Sequence, residues 1–374
     1  MRLENRLIEL SVRFPGRVGA EFAEILPQGL NWEYVIKRSQ REGLTCLLYR
    51  HIRDFGLLPG LPQETVKKLE NFYYCTAAKN TLILQESERI LSHFRQNSVS
   101  AIGLKGIYLA AAVYPDLALR PIADMDILVQ KDDLGRVDRL LTDLGYIRPP
   151  YYDYFFTMTG PSSINSMVYI HRQNTQFFVH LHWHLINSTW PAGFLTAKID
   201  MKDFFPRAAY LENSQAMVIG PEDQLLFLYL HAFRHGFDRL ILVADIAALI
   251  SRNRDDLDWI KLKALAENWD VSEILDFCLA MTDVFLPNDL PGAILTGSKK
   301  FKVSRPADKV SADSRSRCYW LCWAMAKGWR AKLRFLFQTI IPPPYVIAQS
   351  MHIPVNSVSF KDYLARFFRR IIRH

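Results

Sequence analysis

Leu104–Val129, LKGIYLAAAVYPDLALRPIADMDILV, decides how the rest of the 374-residue chain is read. It divides into a strand end, a glycine turn, a helix, a loop and a second strand carrying two aspartates. Asp124 and Asp126 are two residues apart, so on a strand both carboxylates lie on one face. Carboxylates side by side repel unless a cation or basic group sits between them. Ile127, Leu128 and Val129 then carry the strand into a core. A carboxylate pair at the mouth of a buried strand is a candidate divalent-cation site. Oxygen ligands suit Mg²⁺, which keeps several waters and also binds substrate phosphates.

Upstream, Lys105-Gly106 falls where a strand of about 98–104 turns into a helix of about 106–113. Backbone N–H groups and the helix dipole at such a turn receive phosphate oxygens. Lys105 either neutralises phosphate charge there or is a solvated lysine. Arg120 precedes Pro121, which imposes an extended approach to the aspartates. Its guanidinium either steadies them, grips a phosphate, or forms a structural Arg–Asp pair. Downstream the pattern predicts a helix over 131–146 with Val137, Leu140, Leu141 and Leu144 buried. Strands are then expected over about 151–158, 167–171 and 176–183. This order suits a small mixed sheet with helices on one face. His180, His182 and His184 alternate and share a strand face. They line a polar cleft beside the aspartates, with His180 near the metal and His182 holding a carboxylate or backbone group. A zinc face is the alternative.

Lys105-Gly106, Arg120-x-x-x-Asp124-x-Asp126 and the later Phe178-Val179-His180-Leu181-His182-Trp183 occur in an order that resembles the nucleotidyltransferase superfamily. Within it the chain is most similar to a poorly characterised bacterial branch with a KG, RxxxDxD and His-Trp pattern. The toxin nucleotidyltransferases of abortive-infection systems have a related first block. The resemblance covers about 102–183, and a helical segment near 221–250 more loosely. It implies an α+β fold: a nucleotidyltransferase-type core over 97–190, a helical region over 1–96, and a helical C-terminal domain with a basic tail over 191–374. It implies metal-dependent transfer of a nucleoside monophosphate from an NTP such as ATP to a hydroxyl of unknown identity, on a sugar, small molecule, protein or RNA. Asp124 and Asp126 would hold Mg²⁺ or Mn²⁺. Asp124, Asp126 and His180 would form the catalytic set, and Lys105, Gly106, Arg120 and His182 would bind the nucleotide. Two departures stand out. His180 occupies the position of the superfamily's third carboxylate, and Gly106-Ile107 replaces the usual Gly-Gly or Gly-Ser turn. Either His180 serves in place of the acid, or the chain is an impaired enzyme that binds a nucleotide or partner without turnover.

The length allows two or three cores. The net charge of +8 fits a protein that handles polyphosphates, and also permits nucleic acid or an anionic surface as partner. No recognised nucleic-acid reading motif accompanies it. Five scattered cysteines, an odd number, point to a reducing compartment. The charged N-terminal stretch has no apolar core of a signal peptide, so a cytoplasmic protein is expected.

Residues 1–95 read as helical, with Asn31 an N-cap and a long apolar periodicity over 63–94. Gly220-Pro221-Glu222-Asp223 opens another helix. On it His231 and His235 share a face; with Asp245 they form a set that suits metal ligation, substrate contact or buried hydrogen bonding. Two helices follow over 257–286, with Asp258 a cap, then a Pro/Gly/Ser/Lys loop over 287–309 and a Trp-rich helix over 314–338. The tail, Lys361–His374, is a basic amphipathic helix. It either lies weakly on an anionic membrane surface or docks on its own protein.

Overall fold

The computed structural model describes residues 2–13, 18–156, 165–186, 198–212, 214–303 and 312–372, with side chains described at all of these but 154–156, 312–317 and 367–372. In chain order the first helices are α1 (Leu3–Leu10), α2 (Gly19–Ile25), α3 (Trp32–Glu42), α4 (Thr45–Asp54) and α5 (Gln63–Gln96). Strand β1 (Ala101–Gly103), helix α6 (Lys105–Tyr108), β2 (Met125–Val129), α7 (Leu134–Asp143), β3 (Tyr146–Ile147), β4 (Ser166–His171), β5 (Phe178–His182), β6 (Ala209–Tyr210) and β7 (Met217–Val218) follow. The remainder is helical: α8 (Pro221–Arg234), α9 (Ile241–Arg252), α10 (Trp259–Asn268), α11 (Ser272–Phe285), α12 (Ala312–Met325), α13 (Trp329–Ile340), α14 (Pro344–Met351) and α15 (Phe360–Ile372). The fold is α+β, a mixed sheet with helical regions before and after it. Among the described residues no helix is long and apolar enough to cross a membrane.

The chain forms two compact units, each assembled from separated segments. One comprises residues 1–87, 104–123 and 219–318; the other comprises 88–103, 124–218 and 319–374. In the first, Asn31 caps α3 by accepting from the Tyr34 N–H at 3.0 Å, and Asp258 caps α10 through the N–H groups of Ile260 and Lys261. Gly43 ends α3 in the left-handed conformation at φ +77°. Helix α8 packs on α9, α10 and α11. It starts at Pro221 with Glu222 and Asp223 in its first turn, where their charge offsets the exposed N–H groups.

Asn80 interrupts the apolar stripe of α5 and is fully buried. Its amide nitrogen donates to the carbonyls of Leu117 and Arg120, and its oxygen accepts the Ile122 N–H at 3.0 Å. One side chain thereby satisfies three backbone groups of the loop before β2. Beyond α6 the helix widens to a π-wound turn over Leu109–Val113, closed by Tyr114 N–H to the Leu109 carbonyl at 2.9 Å.

The second unit holds the whole sheet, in the order β3-β4-β5-β2-β1-β7-β6. Strands β2 and β5 run parallel; β1 is antiparallel to β2, and β4 to β5. Met125, Ile127, Val179 and Leu181 are fully buried on one side of the central pair.

Three expectations from the sequence need correction. The aromatic run after Tyr151 is not a strand: Pro150–Phe156 winds as 3₁₀ turns, and Met158 lies outside the described residues. Pro150 presets a turn, and Tyr152 is buried with its hydroxyl accepting from Gln349 at 3.3 Å. The region from 191 onward, expected to be helical, holds the two-residue strand pair β6–β7. The Trp-rich helix is broken at Gly328 (φ +83°) into α12 and α13.

Candidate metal and nucleotide site

Asp126 enters the site through strand alternation and register. On β2 it faces away from Met125 and Ile127, and it pairs directly across from His180 on β5, with Leu128 opposite His182. Asp124, just before β2, shares that face. Asp126, His180 and His182 therefore gather on one side of the sheet's central pair. Their ligand atoms all lie within 4.8 Å of one another, the one such cluster among the described residues.

The two carboxylates are unequal. The Asp126 side chain is 4% exposed and the Asp124 side chain 35%. His182, fully buried, places Nε2 2.7 Å from Asp126 Oδ1, the distance at which an N–H donates to a carboxylate. His180 Nδ1 lies 3.3 Å from Asp126 Oδ1 and 3.6 Å from Asp124 Oδ2, so one imidazole edge abuts both acids. Its other nitrogen, Nε2, is 3.0 Å from Ser166 Oγ on β4. The two imidazole rings lie 4.1 Å apart, inclined at 45°. The donor set is thus carboxylate oxygen with imidazole nitrogen, which first-row divalent ions accept. Asp124 adds an oxygen on the solvent side.

His184 does not extend this face. Strand β5 ends at His182, and His184 turns away with Nδ1 accepting the Ile186 N–H at 3.0 Å. Burial pulls the His184 imidazole down to about 4. A depressed histidine stabilises the fold above its unfolded value near 6.5, and that contribution is lost as pH falls towards 4. Unfolding free energy is therefore expected to lose about 2 kcal/mol through this group between pH 7 and pH 4.5. Denaturant titrations should show His184→Gln with a correspondingly shallower acid dependence; equal slopes would exclude His184 as the titrating group.

Lys105, Gly106 and Arg120 belong to the other compact unit. Lys105 adopts φ +45°, a left-handed conformation that costs a non-glycine residue on the order of 1–2 kcal/mol. Its side chain is buried, with Nζ 5.9 Å from the Phe227 ring centre. A Cβ at Gly106 would sit 2.6 Å from Arg120 Nη1, so any larger residue there would have to displace that guanidinium. The carboxylate that Arg120 braces is Asp245. Nε and Nη2 contact its two oxygens at 3.2 and 3.0 Å, and Nη1 donates to the Pro121 carbonyl at 3.1 Å. The Tyr114 hydroxyl donates to the same Asp245 oxygen at 3.0 Å, and burial with the adjoining carboxylate pushes that phenol well up.

Asp245 therefore serves a buried ion pair. His231 and His235, the other members of that set, lie with ring centres 4.6 Å apart, inclined at 58°. Desolvation, then the charge of Arg234, lowers the His235 imidazole from its ordinary value, with Asp238 opposing and Lys105 and Arg239 adding to the shift, although the residue is exposed. Tyr114 and Asn80 were not singled out as site-shaping residues in the sequence. A polar residue on the apolar stripe of α5 was the signal for Asn80; Tyr114 carried none.

A family model described as "Uncharacterised nucleotidyltransferase" matches residues 28–287, a span that encloses both carboxylates, both imidazoles, the Lys105 turn and Asp245. No curated protein matches the chain.

Proposed function

Because the chain belongs to this family of uncharacterised nucleotidyltransferases, we propose that it transfers a nucleoside monophosphate from an NTP to a hydroxyl acceptor, with Asp124 and Asp126 as metal ligands. The observation that carries this reading is the clustering of Asp126, His180 and His182 in one strand register, with Asp124 on the same face. A divalent ion bound there would neutralise phosphate charge and polarise the reacting phosphoryl group. The protein's own part is positional. His182 fixes the Asp126 carboxylate by a hydrogen bond, as outer residues orient metal-binding groups elsewhere. Ser166 holds the His180 ring, so that the nitrogen beside the two acids keeps its direction. A set that mixes oxygen and imidazole nitrogen suits Mn²⁺ better than Mg²⁺, which prefers oxygen and water.

The test is thermal stability with each NTP, with and without Mg²⁺ or Mn²⁺. A ligand at 100 times its Kd adds about 2.7 kcal/mol to a fold that alone binds it. A metal-dependent rise with at least one NTP, accompanied by pyrophosphate release once an acceptor is supplied, is the expected result. No rise with any NTP would remove the transferase reading.

A second reading rests on His180. An imidazole lodged 3.3 and 3.6 Å from the two carboxylates can itself supply their counter-charge when protonated, leaving a nucleotide- or partner-binding module without turnover. Nucleotide stabilisation that ignores the metal, with no pyrophosphate released by any acceptor class, would favour it.

A further inference from the structure

The chain's charge is partitioned along its length. Residues 319–374 hold nine of the 46 basic residues and one of the 38 acidic ones, so the first 318 residues are balanced and the entire net charge of +8 lies in the last 56. That same segment carries a concentration of exposed large apolar side chains. On α13, Trp329, Leu333, Leu336, Phe337 and Ile340 are 67, 54, 46, 61 and 68% exposed. Phe335, on the other side of the helix, is buried and meets Tyr319 edge-on at 6.4 Å. At about 100° per residue the five exposed side chains fall within roughly a third of the helix circumference. Lys332 borders this stripe on one side, and Arg330 and Arg334 on the other. Lysine and arginine beside an apolar stripe can extend their charges to a headgroup layer while their stems stay in apolar surroundings.

Helix α15 repeats the design in its sequence. At helical spacing Phe360, Leu364, Phe367, Phe368 and Ile371 fall on one side, and Arg366, Arg369 and Arg370 on the other. Phe360 is 75% exposed and Leu364 42%.

We infer that the C-terminal segment, through the α13 stripe and the basic amphipathic α15, docks the protein on an anionic phospholipid surface without crossing it. Charge complementarity selects this occupant. A row of five apolar side chains has no counterpart on a nucleic-acid backbone, whereas a bilayer interface offers acyl chain and anionic headgroup together. A second copy of the same segment would oppose like charges, nine against nine.

The experiment is flotation of the full-length chain with vesicles of phosphatidylcholine alone and with about 30% phosphatidylglycerol, a composition with a negative surface potential. Wild type is expected to float with the anionic vesicles at least about 100-fold more strongly, and to be released by about 0.5 M salt, which screens surface charge. Trp329→Ala/Leu333→Ala/Phe337→Ala and Arg366→Glu/Arg369→Glu/Arg370→Glu should each weaken flotation at least about tenfold without lowering the melting temperature, as the three apolar side chains are exposed. Flotation independent of lipid charge, or unaffected by either variant, would overturn the inference. So would capture by homopolymeric RNA without vesicle binding, or a dimer in solution that the apolar variant dissociates while vesicles go unbound.

Discussion

Asp126→Asn is expected to abolish the metal-dependent rise in melting temperature with NTP and to cut pyrophosphate release by at least about 10³-fold, some 4 kcal/mol of transition-state stabilisation. The side chain keeps its size, and a donor from His182 at 2.7 Å still finds the amide oxygen. What disappears is the negative charge beside Asp124. Removing it also relieves the repulsion between the two acids, so without metal the variant should melt no lower than wild type within about 1 kcal/mol. The pairing of lost metal response with unchanged fold is the diagnostic result. A variant that retains metal-dependent nucleotide stabilisation would show that the ion, if one binds, is held elsewhere.

Asp245→Ala should produce the largest loss of stability, about 3–5 kcal/mol, the usual cost of leaving one member of a buried ion pair alone. The carboxylate is 3% exposed and serves three donors: Arg120 Nε, Arg120 Nη2 and the Tyr114 hydroxyl. Truncation strands a guanidinium that is itself only 14% exposed. Replacing both charges, as in Arg120→Met/Asp245→Leu, should recover most of the loss, because paired apolar groups do not leave an uncompensated charge. Denaturant midpoints of the two single variants and the double variant measure this. Additive losses would mean that the pair is not coupled as its geometry requires.

How far the sequence reaches is clearest at these two aspartates. Asp126 was legible because period-two alternation within one short strand fixes its face, and the same rule assigns His180 and His182 to a face of theirs. The pairing that sets Asp126 opposite His180 spans 54 residues, and alternation alone says nothing about register. His184 was misassigned for the same reason: its position continues the alternation, but the strand stops at His182. Arg120 posed a different problem. The chemistry that lets a guanidinium grip phosphate also lets it grip a carboxylate, and Asp245 is 125 residues away. The α+β architecture and the capped helices at Asn31 and Asp258 were readable because their signals are local. Strands β6 and β7 were not, since two residues give no period to detect.

The strand order has a consequence for where the fold opens. Strand β2, which carries Asp126, is the fourth of seven, with three strands between it and the outside on either hand. The outermost strands, β3 and β6, have two residues each and few ladder hydrogen bonds to lose. Spontaneous opening therefore begins at the rims, where backbone amides trade hydrogen for solvent deuterium soonest, and subsides before it reaches the centre. Brief rim opening leaves the carboxylates in register.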